Sequence, residues 1–388
     1  MSNTLTALIP KIFGATLPSL RNACRAIAVC RVDFQAEVAQ KGSTIDMPIP
    51  VASSTTDVAP GVSPAANTDK TPTTKQIALN QWKRSDKVAL TAKEVAEIDG
   101  GSFKNSQIYE QSIALVEGIN LAVLTGMKNA SYRPSGTAGT NPFASTDADS
   151  IDVRRVLNVM RAPSNDRHLI LGPNAEARAL AIASIKDASL RGDATTKDTG
   201  EIGTLFGLRH WADQQVVAHT AGTAAGTLTH GTTIGAVGSS SLYLKASTPG
   251  TIKTGDLIKV TTSSVDYFYV ATADVASVDT TAAGIAVAVY PPVQATHVAA
   301  DTWTLQASHS ANIGLQRGAY GLAIRPVDTA YLGAGEHVQM TDPQTGLSLV
   351  YSLIPEYMQM SMQVSILYGH GPLRQEWLCR LMGSATAV

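Results

Sequence analysis

The side chains in this sequence that could carry acid–base or metal chemistry near neutral pH are its eight histidines. No two of them stand four residues apart, the spacing that places two imidazoles on one face of a helix to bind zinc. We therefore expect each to be a surface residue or a hydrogen-bonded residue of the core. They are His168, His210, His219, His230, His297, His309, His337 and His370.

The other patterns that could carry chemistry are incomplete. The cysteines are odd in number and lack C-x-x-C spacing, which argues against a disulfide framework or a thiolate zinc site and favours a reducing compartment. The glycine-rich run 200–207 could cradle an anion, but no Lys-Ser or Lys-Thr follows it, so we interpret it as turns. Asp147 and Asp149 precede a predicted helix and are interpreted as a cap and a favourable dipole charge. The sequence predicts no catalytic residue, no cofactor and no metal site. The cysteines are Cys24, Cys30 and Cys379.

The overall charge limits the classes of partner. Lys plus Arg number 30 and Asp plus Glu 31, so the chain has no global basic field that would hold nucleic acid, and any DNA contact must be local or weak. The N-terminus has no basic run followed by an apolar core, and no apolar run reaches about 18 residues. We expect a chain that is neither exported nor membrane-spanning.

One long helix is predicted at residues 102–129. Its apolar residues recur at steps of three and four, with Asn120 as the only break, and form one stripe about 40 Å long at roughly 1.5 Å per residue. Gly118 and Gly126 each cost about 1 kcal/mol relative to alanine, which packing of the stripe must offset. The stripe consists of Tyr109, Ile113, Val116, Val123 and Met127.

Two segments that precede this helix have apolar side chains that must pack against other parts of the same chain or against another chain. Residues 3–38 predict two short amphipathic helices, interrupted by prolines, whose apolar faces either the same chain or a neighbouring chain must cover. Residues 43–92 predict a long two-stranded hairpin with a polar, proline-rich tip, too long to be stable alone in water; a disordered surface loop is the alternative. If another subunit covers these segments, the candidate packing residues are Leu5, Leu8, Ile12, Ile45, Met47 and Trp82.

The sequence pattern changes twice in the rest of the chain. Residues 148–220 alternate helix and strand. Residues 221–310 contain no Arg, Glu or Met, and their short β-rich runs predict an inserted antiparallel barrel or sandwich. An alternation of helix and strand patterns then resumes. Near the end of the chain, apolar residues occupy every other position, as in a strand with one buried face; they are Met358, Met360, Met362, Val364 and Ile366. The final run, 372–382, is predicted as a helix or an extended end.

Several runs, taken in order, resemble one protein family. They are 41–50 (KGSTIDMPIP), 79–83 (LNQWK), 88–96 (VALTAKEVA), 167–176 (RHLILGPNAE), 203–207 (GTLFG), 219–223 (HTAGT) and 366–378 (ILYGHGPLRQEWL). They resemble the major capsid proteins of tailed double-stranded-DNA bacteriophages, which have the Hong Kong 97-type shell fold. The chain looks most like the branch with an inserted β-barrel, as in short-tailed Salmonella phages. Pro372 and Glu376 depart from the Pro-Glu pair of the family's closing strand.

The resemblance implies an α+β fold, the phage capsid shell fold, with an N-terminal arm, an extended β-hairpin loop, a long spine helix, an axial α/β domain and an inserted antiparallel β-barrel domain. It divides the chain into the arm (1–42), the extended loop (43–92), a peripheral domain with the spine helix (93–147), the axial domain (148–220), the inserted domain (221–310), the axial return (311–334) and peripheral strands with the C-terminus (335–388).

The resemblance also implies the function, a structural protein without catalysis that tiles an icosahedral head. The implied partners are copies of the same chain in pentamers and hexamers, a scaffolding protein, a portal, a decoration protein and packaged double-stranded DNA on the inner face, with no membrane. The implied location is the virion, assembled in the cytoplasm of a host bacterium. The alternatives are a cell-surface or carbohydrate-binding β-rich module on an α/β scaffold, and a hydrolase with dispersed catalytic residues.

Overall fold

The structure is a computed structural model that describes residues 25–33, 44–49, 57–61, 73–97, 100–187, 199–233, 235–298, 301–325, 332–341 and 347–384, with the single positions 55 and 196. Within this part of the chain the helices are α1 (Arg25–Val29), α2 (Ala92–Glu97), α3 (Gly100–Ala130), α4 (Ala148–Val159), α5 (Pro173–Ala181) and α6 (Ala183–Lys186), with 3-10 turns at Arg317–Ala319 and Gln375–Trp377.

The strands, in chain order, are β1 (Arg31–Asp33), β2 (Thr44–Ile49), β3 (Thr73–Ala78), β4 (Gln81–Arg84), β5 (Val88–Thr91), β6 (Arg133–Ser135), β7 (Arg167–Leu171), β8 (Thr204–Leu205), β9 (Leu208–Ala212), β10 (Ala218–His219), β11 (Ala225–His230), β12 (Ser241–Thr248), β13 (Gly250–Ile252), β14 (Leu257–Thr262), β15 (Val265–Ala271), β16 (Val275–Val278), β17 (Ile285–Tyr290), β18 (Thr302–Leu305), β19 (His309–Gln316), β20 (Tyr320–Arg325), β21 (Glu336–Thr341), β22 (Ser348–Glu356), β23 (Gln359–Pro372) and β24 (Leu378–Met382).

Helix α3 is the long helix that the apolar stripe predicts, and it spans 31 residues. Val116, Val123 and Met127 of the predicted stripe are buried, while Ile113 is only half-buried. The buried face also includes three residues that the periodicity did not indicate, which are Leu115, Ile119 and Leu124. Asn120 does not interrupt this face. Its buried amide accepts a hydrogen bond from the backbone N of Ala26 (2.9 Å) and donates one to Asp213 Oδ2 (2.8 Å). A polar residue in the stripe therefore ties the helix to two other segments.

A first sheet packs against α3 and is built around the long strand β23. Strands β20 and β22 pair with one edge of β23, and β4 and β5 pair with the other. Met362, Val364 and Ile366 face the core as the alternation predicts. Met358 does not belong to the strand. It lies in the β22–β23 turn with φ +54° and is exposed, because the chain must reverse there.

The two-stranded ribbon is shorter than the sequence predicts. Strands β2 and β3 pair from Thr44 with Ala78 to Ile49 with Thr73. Residues 81–91, which we expected to continue the hairpin, instead pair with β23 in the first sheet. Period-two alternation fits either partner equally well, so the sequence pattern alone does not choose between them.

A second sheet has the strand order β6-β24-β19-β7-β9-β8, with β10 paired to β19. The last described element, β24, is a fully buried extended strand and not a helix. Helix α5 begins at Pro173, whose missing N–H costs nothing at the first helical position. Asp147 occupies the N-cap of α4 without a side-chain capping bond, whereas Asp149 Oδ2 accepts from the backbone N of Phe143.

The region that lacks Arg, Glu and Met contains a closed barrel of strand order β11-β12-β17-β15-β14-β18. The barrel closes where Leu228 of β11 pairs with Trp303 of β18. The chain enters and leaves the barrel side by side, because His219 of β10 pairs with His309 of β19. The barrel is therefore an excursion from the second sheet.

Candidate functional site: a buried polar junction and exposed surfaces

The residues expected to pack between subunits fall into three groups. Leu5, Leu8 and Ile12 lie outside the described residues. Ile45 and Met47 are buried within this chain, where the β2–β3 ribbon packs on Ala323 and Leu373. Trp82, on β4, is 53% exposed.

The structure does not bring Ile45 and Met47 together with Trp82 in one cluster. Their role between subunits stays a prediction. Ile45 and Met47 are already buried against side chains of the same chain. Trp82 keeps a large apolar side chain at the surface, next to an edge of the first sheet where β4 and β5 have no further described strand.

Four of the eight histidines are buried. They are His210, His219, His297 and His309. Most of their ring nitrogens have partners, as expected for core histidines. Among these four, Nε2 of His309 has no partner, and Nε2 of the half-buried His230 is a further buried atom without one in the described part of the chain. Two of the buried histidines, His219 and His309, lie with ring centroids 5.3 Å apart at the base of the barrel.

Arg380 is the centre of this polar junction, and its side chain is 0% exposed. It lies on β24 and reaches the C-terminal end of α3, where the last carbonyls of a helix have no partners within the helix. Its Nη2 donates to the carbonyl oxygens of Ser131 (3.0 Å) and Lys128, and its Nε donates to Ser131 Oγ (3.0 Å). Its Nη1 donates to the carbonyl of Gly255, in the barrel, at 2.8 Å. One guanidinium thus caps the long helix and binds the barrel to it.

Asp256 supplies the carboxylate of the junction and is also 0% exposed. Its Oδ1 accepts from His219 Nε2 at 2.7 Å, and its Oδ2 accepts from the backbone N of Lys253 (2.7 Å) and of Gly222 (3.0 Å). Because His219 donates from Nε2, its Nδ1 is free to accept from Lys128 Nζ at 3.4 Å. The junction therefore runs from α3 through β10 to the barrel.

Burial sets the charge states in this junction. It lowers the pKa of Arg380 and of Lys128, while the Asp256 carboxylate opposes both shifts. Burial also lowers the pKa of His219, and it lowers the pKa of His309 to about 4. Both pKa values lie below the ordinary value of 6.5, so the two histidines are neutral at pH 7.

A lysine, a histidine and an aspartate in line could relay a proton in an enzyme. Here Lys128, His219 and Asp256 are all buried, so a substrate has no access to them. Among the described residues, no group of three or more His, Cys, Asp or Glu is placed to hold a metal ion. The arrangement fits a structural role, which is to fix the barrel on the body.

Sequence reasoning missed this junction. Its ionisable side chains come from separate segments, and 37 positions separate His219 from Asp256 and 252 separate Lys128 from Arg380. The one available signal was Arg380 within the otherwise apolar run LCRLM, because an arginine in a buried strand needs several acceptors.

We expect the free energy of unfolding of the unassembled chain to fall by about 3 kcal/mol through His309 as the pH decreases from 6.5 to 4. The folded-state pKa of His309, about 4, lies below its ordinary value of 6.5. Between these values the unfolded chain binds a proton that the folded chain does not, so acid favours unfolding. The lowered pKa of His219 acts in the same direction. Urea unfolding at pH 7 and pH 4.5 measures the loss.

The matched variant for this experiment is His309→Gln, which cannot titrate. Its stability should decline less with acid than that of the wild type. Equal declines in the two proteins, or an NMR titration that places the pKa of His309 near 6.5, would contradict the assignment.

The β22–β23 turn is a second exposed feature. Tyr357 is 92% exposed, and Met358 beside it is mostly exposed as well. None of the described helices combines the length and apolar character needed to cross a membrane.

Solved structures that match nearly the whole chain include the following two. One is a chain of Mycobacterium phage Che8, 11% identical, over 92% of this chain and 90% of that chain, with a TM-score of 0.51. The other comes from the capsid structure of the cyanophage P-SCSP1u, 13% identical, over 92% of this chain and 87% of that chain, with a TM-score of 0.51. This chain shares their fold.

At these identities the likeness concerns the fold alone. Neither a family model nor a curated protein matches the sequence. The predicted fold is thus confirmed at this level: the chain has a mixed helix and strand fold like that of a phage capsid chain. It also contains a closed barrel.

Proposed function

We propose that this chain is the major capsid protein of a tailed bacteriophage and assembles into pentamers and hexamers of an icosahedral head that encloses double-stranded DNA. The observation that carries the proposal is the fold shared with a cyanophage capsid chain across 92% of this chain. Its role is structural and requires no catalysis. The mature chain resides in the virion after assembly in the bacterial cytoplasm.

The division of the chain proposed from the resemblance gives the described elements their roles. Helix α3 is the spine helix, the β2–β3 ribbon is the base of the extended loop, the second sheet is the axial domain, and the barrel is the inserted domain. The closed barrel and its paired entry and exit strands support the branch of capsid proteins with an inserted barrel.

Charge and surface fit this role. A net charge of -1 lets many copies pack without strong mutual repulsion. It also leaves packaged DNA to weak, non-specific contacts on the inner face. A scaffolding protein, a portal and a decoration protein are the further partners of this proposal.

Sedimentation velocity of the purified chain, alone and with a scaffolding protein expressed from the same phage genome, tests the proposal. We expect a species hundreds of times heavier than the chain, whose mass is 40.6 kDa. Sedimentation as a monomer in every condition in which the chain is folded would overturn it.

Replacing Trp82 with alanine is expected to lower the yield of assembled particles roughly tenfold or more, because a large exposed aromatic is a typical hot spot of an interface. The stability of the unassembled chain should change little, since the side chain is 53% exposed. Val237→Ala, at a similarly exposed position on the barrel, is the control. Unchanged particle yield for Trp82→Ala would remove Trp82 from the interface.

Deleting residues 221–310 is expected to impair folding or alter shell size. The deletion uncovers Tyr132 and Met382, which pack against Leu257 and Val270 of the barrel, and it removes Asp256 from the junction. The soluble fraction and the particle diameter measure the effect. The same deletion with Tyr132→Thr and Met382→Thr should recover solubility. Assembly of the deleted chain into shells of unchanged diameter would reject this role of the barrel.

A further inference from the structure

The outer face of α4 exposes apolar side chains to solvent. Ile151 is 48% exposed and Val159 is 60% exposed, and Arg155 lies between them at i, i+4 spacing. The three side chains form one stripe along the helix. The buried face of α4, with Val153 and Leu157, covers the second sheet, so the exposed stripe is not needed for the core.

A neighbouring turn adds a third exposed apolar residue. Phe206 lies between β8 and β9 with φ +51°, a conformation that bulky side chains rarely adopt. Its carbonyl accepts from Arg154 Nη1 of α4 at 2.6 Å, which holds the turn beside the helix, and its ring is partly exposed. An aromatic ring held at the surface by an unfavourable backbone conformation suggests that it has a use there.

A groove beside this stripe, which Arg155 and Val159 also line, carries an unsatisfied donor. The groove has a volume of about 90 Å³, and Val156, Val159, Met160 and Phe268 of the barrel line it together with Arg133 and Arg155. The Nε atom of Arg133 is buried and has no hydrogen-bond partner among the described residues. An acceptor from outside the described chain would satisfy it.

We propose that this α4 surface, made of Arg133, Ile151, Arg154, Arg155, Val159 and Phe206, is a contact surface for a second copy of the chain. The inference rests on the proposed function, because it assumes that copies assemble. The second copy offers a different surface element, one with exposed apolar side chains and carboxylates, so the contact is heterologous and can close into a ring.

Charge complementarity supports a second copy as the occupant. The α4 surface has three arginines, and Asp152, which binds Arg155 Nε at 2.7 Å, is the carboxylate beside them. The whole chain has a net charge of -1, so this surface is basic while the remainder of the chain is acidic. Apolar residues surrounded by arginines are also the composition that protein interfaces favour.

Lysine substitutions at the apolar positions test the surface. Val159→Lys and Ile151→Lys both keep the helix but place a charge in the contact. At position 159 the lysine also lies at the C-terminal end of the helix, where a positive charge is favourable. We expect each variant to melt within about 2 °C of the wild type as an unassembled chain and to yield at least roughly tenfold fewer particles. Val237→Lys, at a barrel position of similar exposure (58%), is the matched control and should assemble as the wild type does.

Cysteine labelling gives a readout that does not depend on assembly being impaired. Val159→Cys should react with a maleimide in the unassembled chain and be protected at least roughly tenfold in particles, whereas Val237→Cys should stay reactive in both, with the wild type as background. If wild-type chains form particles, but Val159→Cys stays reactive in the particles that it forms or Val159→Lys assembles normally, the α4 surface is not a contact and the proposed function stands. If wild-type chains never assemble, the proposed function itself fails, and this inference fails with it.

Discussion

Replacing Arg380 with methionine is expected to lower the free energy of unfolding by about 4 kcal/mol. The substitution keeps most of the side-chain volume but removes every donor that holds the carbonyls of Lys128, Ser131 and Gly255. These carbonyls are buried, so water does not replace the lost partner without opening the junction. The Asp256 carboxylate also loses a nearby cation. Urea unfolding of the unassembled chain, followed by circular dichroism, measures the loss.

Arg155→Met is the matched control for this prediction. Arg155 also binds a carboxylate, Asp152, at 2.7 Å, but its side chain is 64% exposed. An exposed pair of this kind contributes less than about 1 kcal/mol. A loss for Arg380→Met no larger than that for Arg155→Met would show that the buried junction does not hold the barrel, α3 and β24 together.

Replacing Gly126 with alanine is expected to destabilise the chain by about 2 kcal/mol, although alanine is the better helix former by about 1 kcal/mol. The new methyl group would collide with the hydroxyl of Tyr320, and it would lie 3.0 Å from the ring of His370. Tyr320 is buried and its hydroxyl is hydrogen-bonded to His370 Nδ1 at 2.7 Å, so it has little freedom to move away. Thermal unfolding of the unassembled chain measures the effect.

Two variants separate this clash from a general effect of glycine. Gly118→Ala, on the same helix, meets only the flexible end of Lys83 and should be tolerated or even stabilising. Tyr320→Phe removes the hydroxyl, so the pair Gly126→Ala with Tyr320→Phe should be more stable than the sum of the single losses predicts. Strict additivity of the two substitutions would mean that the hydroxyl does not limit the packing at Gly126.

Local pattern was sufficient for the elements that have a strong period of their own. The steps of three and four in 102–129 predicted α3 to within two residues at its start and one at its end. The alternation of Met362, Val364 and Ile366 predicted the buried face of β23. The shift in composition after residue 220 predicted a β-rich unit, but the choice between barrel and sandwich needed the pairing of β11 with β18.

Tertiary partners were beyond the sequence pattern. Residues 81–91 alternate in a way that fits either the ribbon or β23, and the register with β23 decided their place. Asn120 looked like a break in the stripe because its partners, Ala26 and Asp213, are 94 and 93 positions away. The junction around Arg380 was missed for the same reason, since no local spacing links an arginine at the chain's end to a helix terminus.

For the candidate packing residues, too, the sequence predicted burial but not the partner. Their apolar character predicted that each needs a cover, and the ribbon residues Ile45 and Met47 found one in Ala323 and Leu373. The pattern could not say whether the cover belongs to the same chain or to another. For Trp82 and the α4 surface, we propose that a second copy of the chain covers the exposed apolar side chains.

Electron cryo-microscopy of particles purified from cells that express the chain tests whether it forms a capsid shell. We expect closed shells of uniform diameter, in which this fold repeats around fivefold and sixfold positions and Trp82 packs against a neighbouring copy. Particles that are absent in every condition in which the chain is folded, with only monomers in the images, would contradict it.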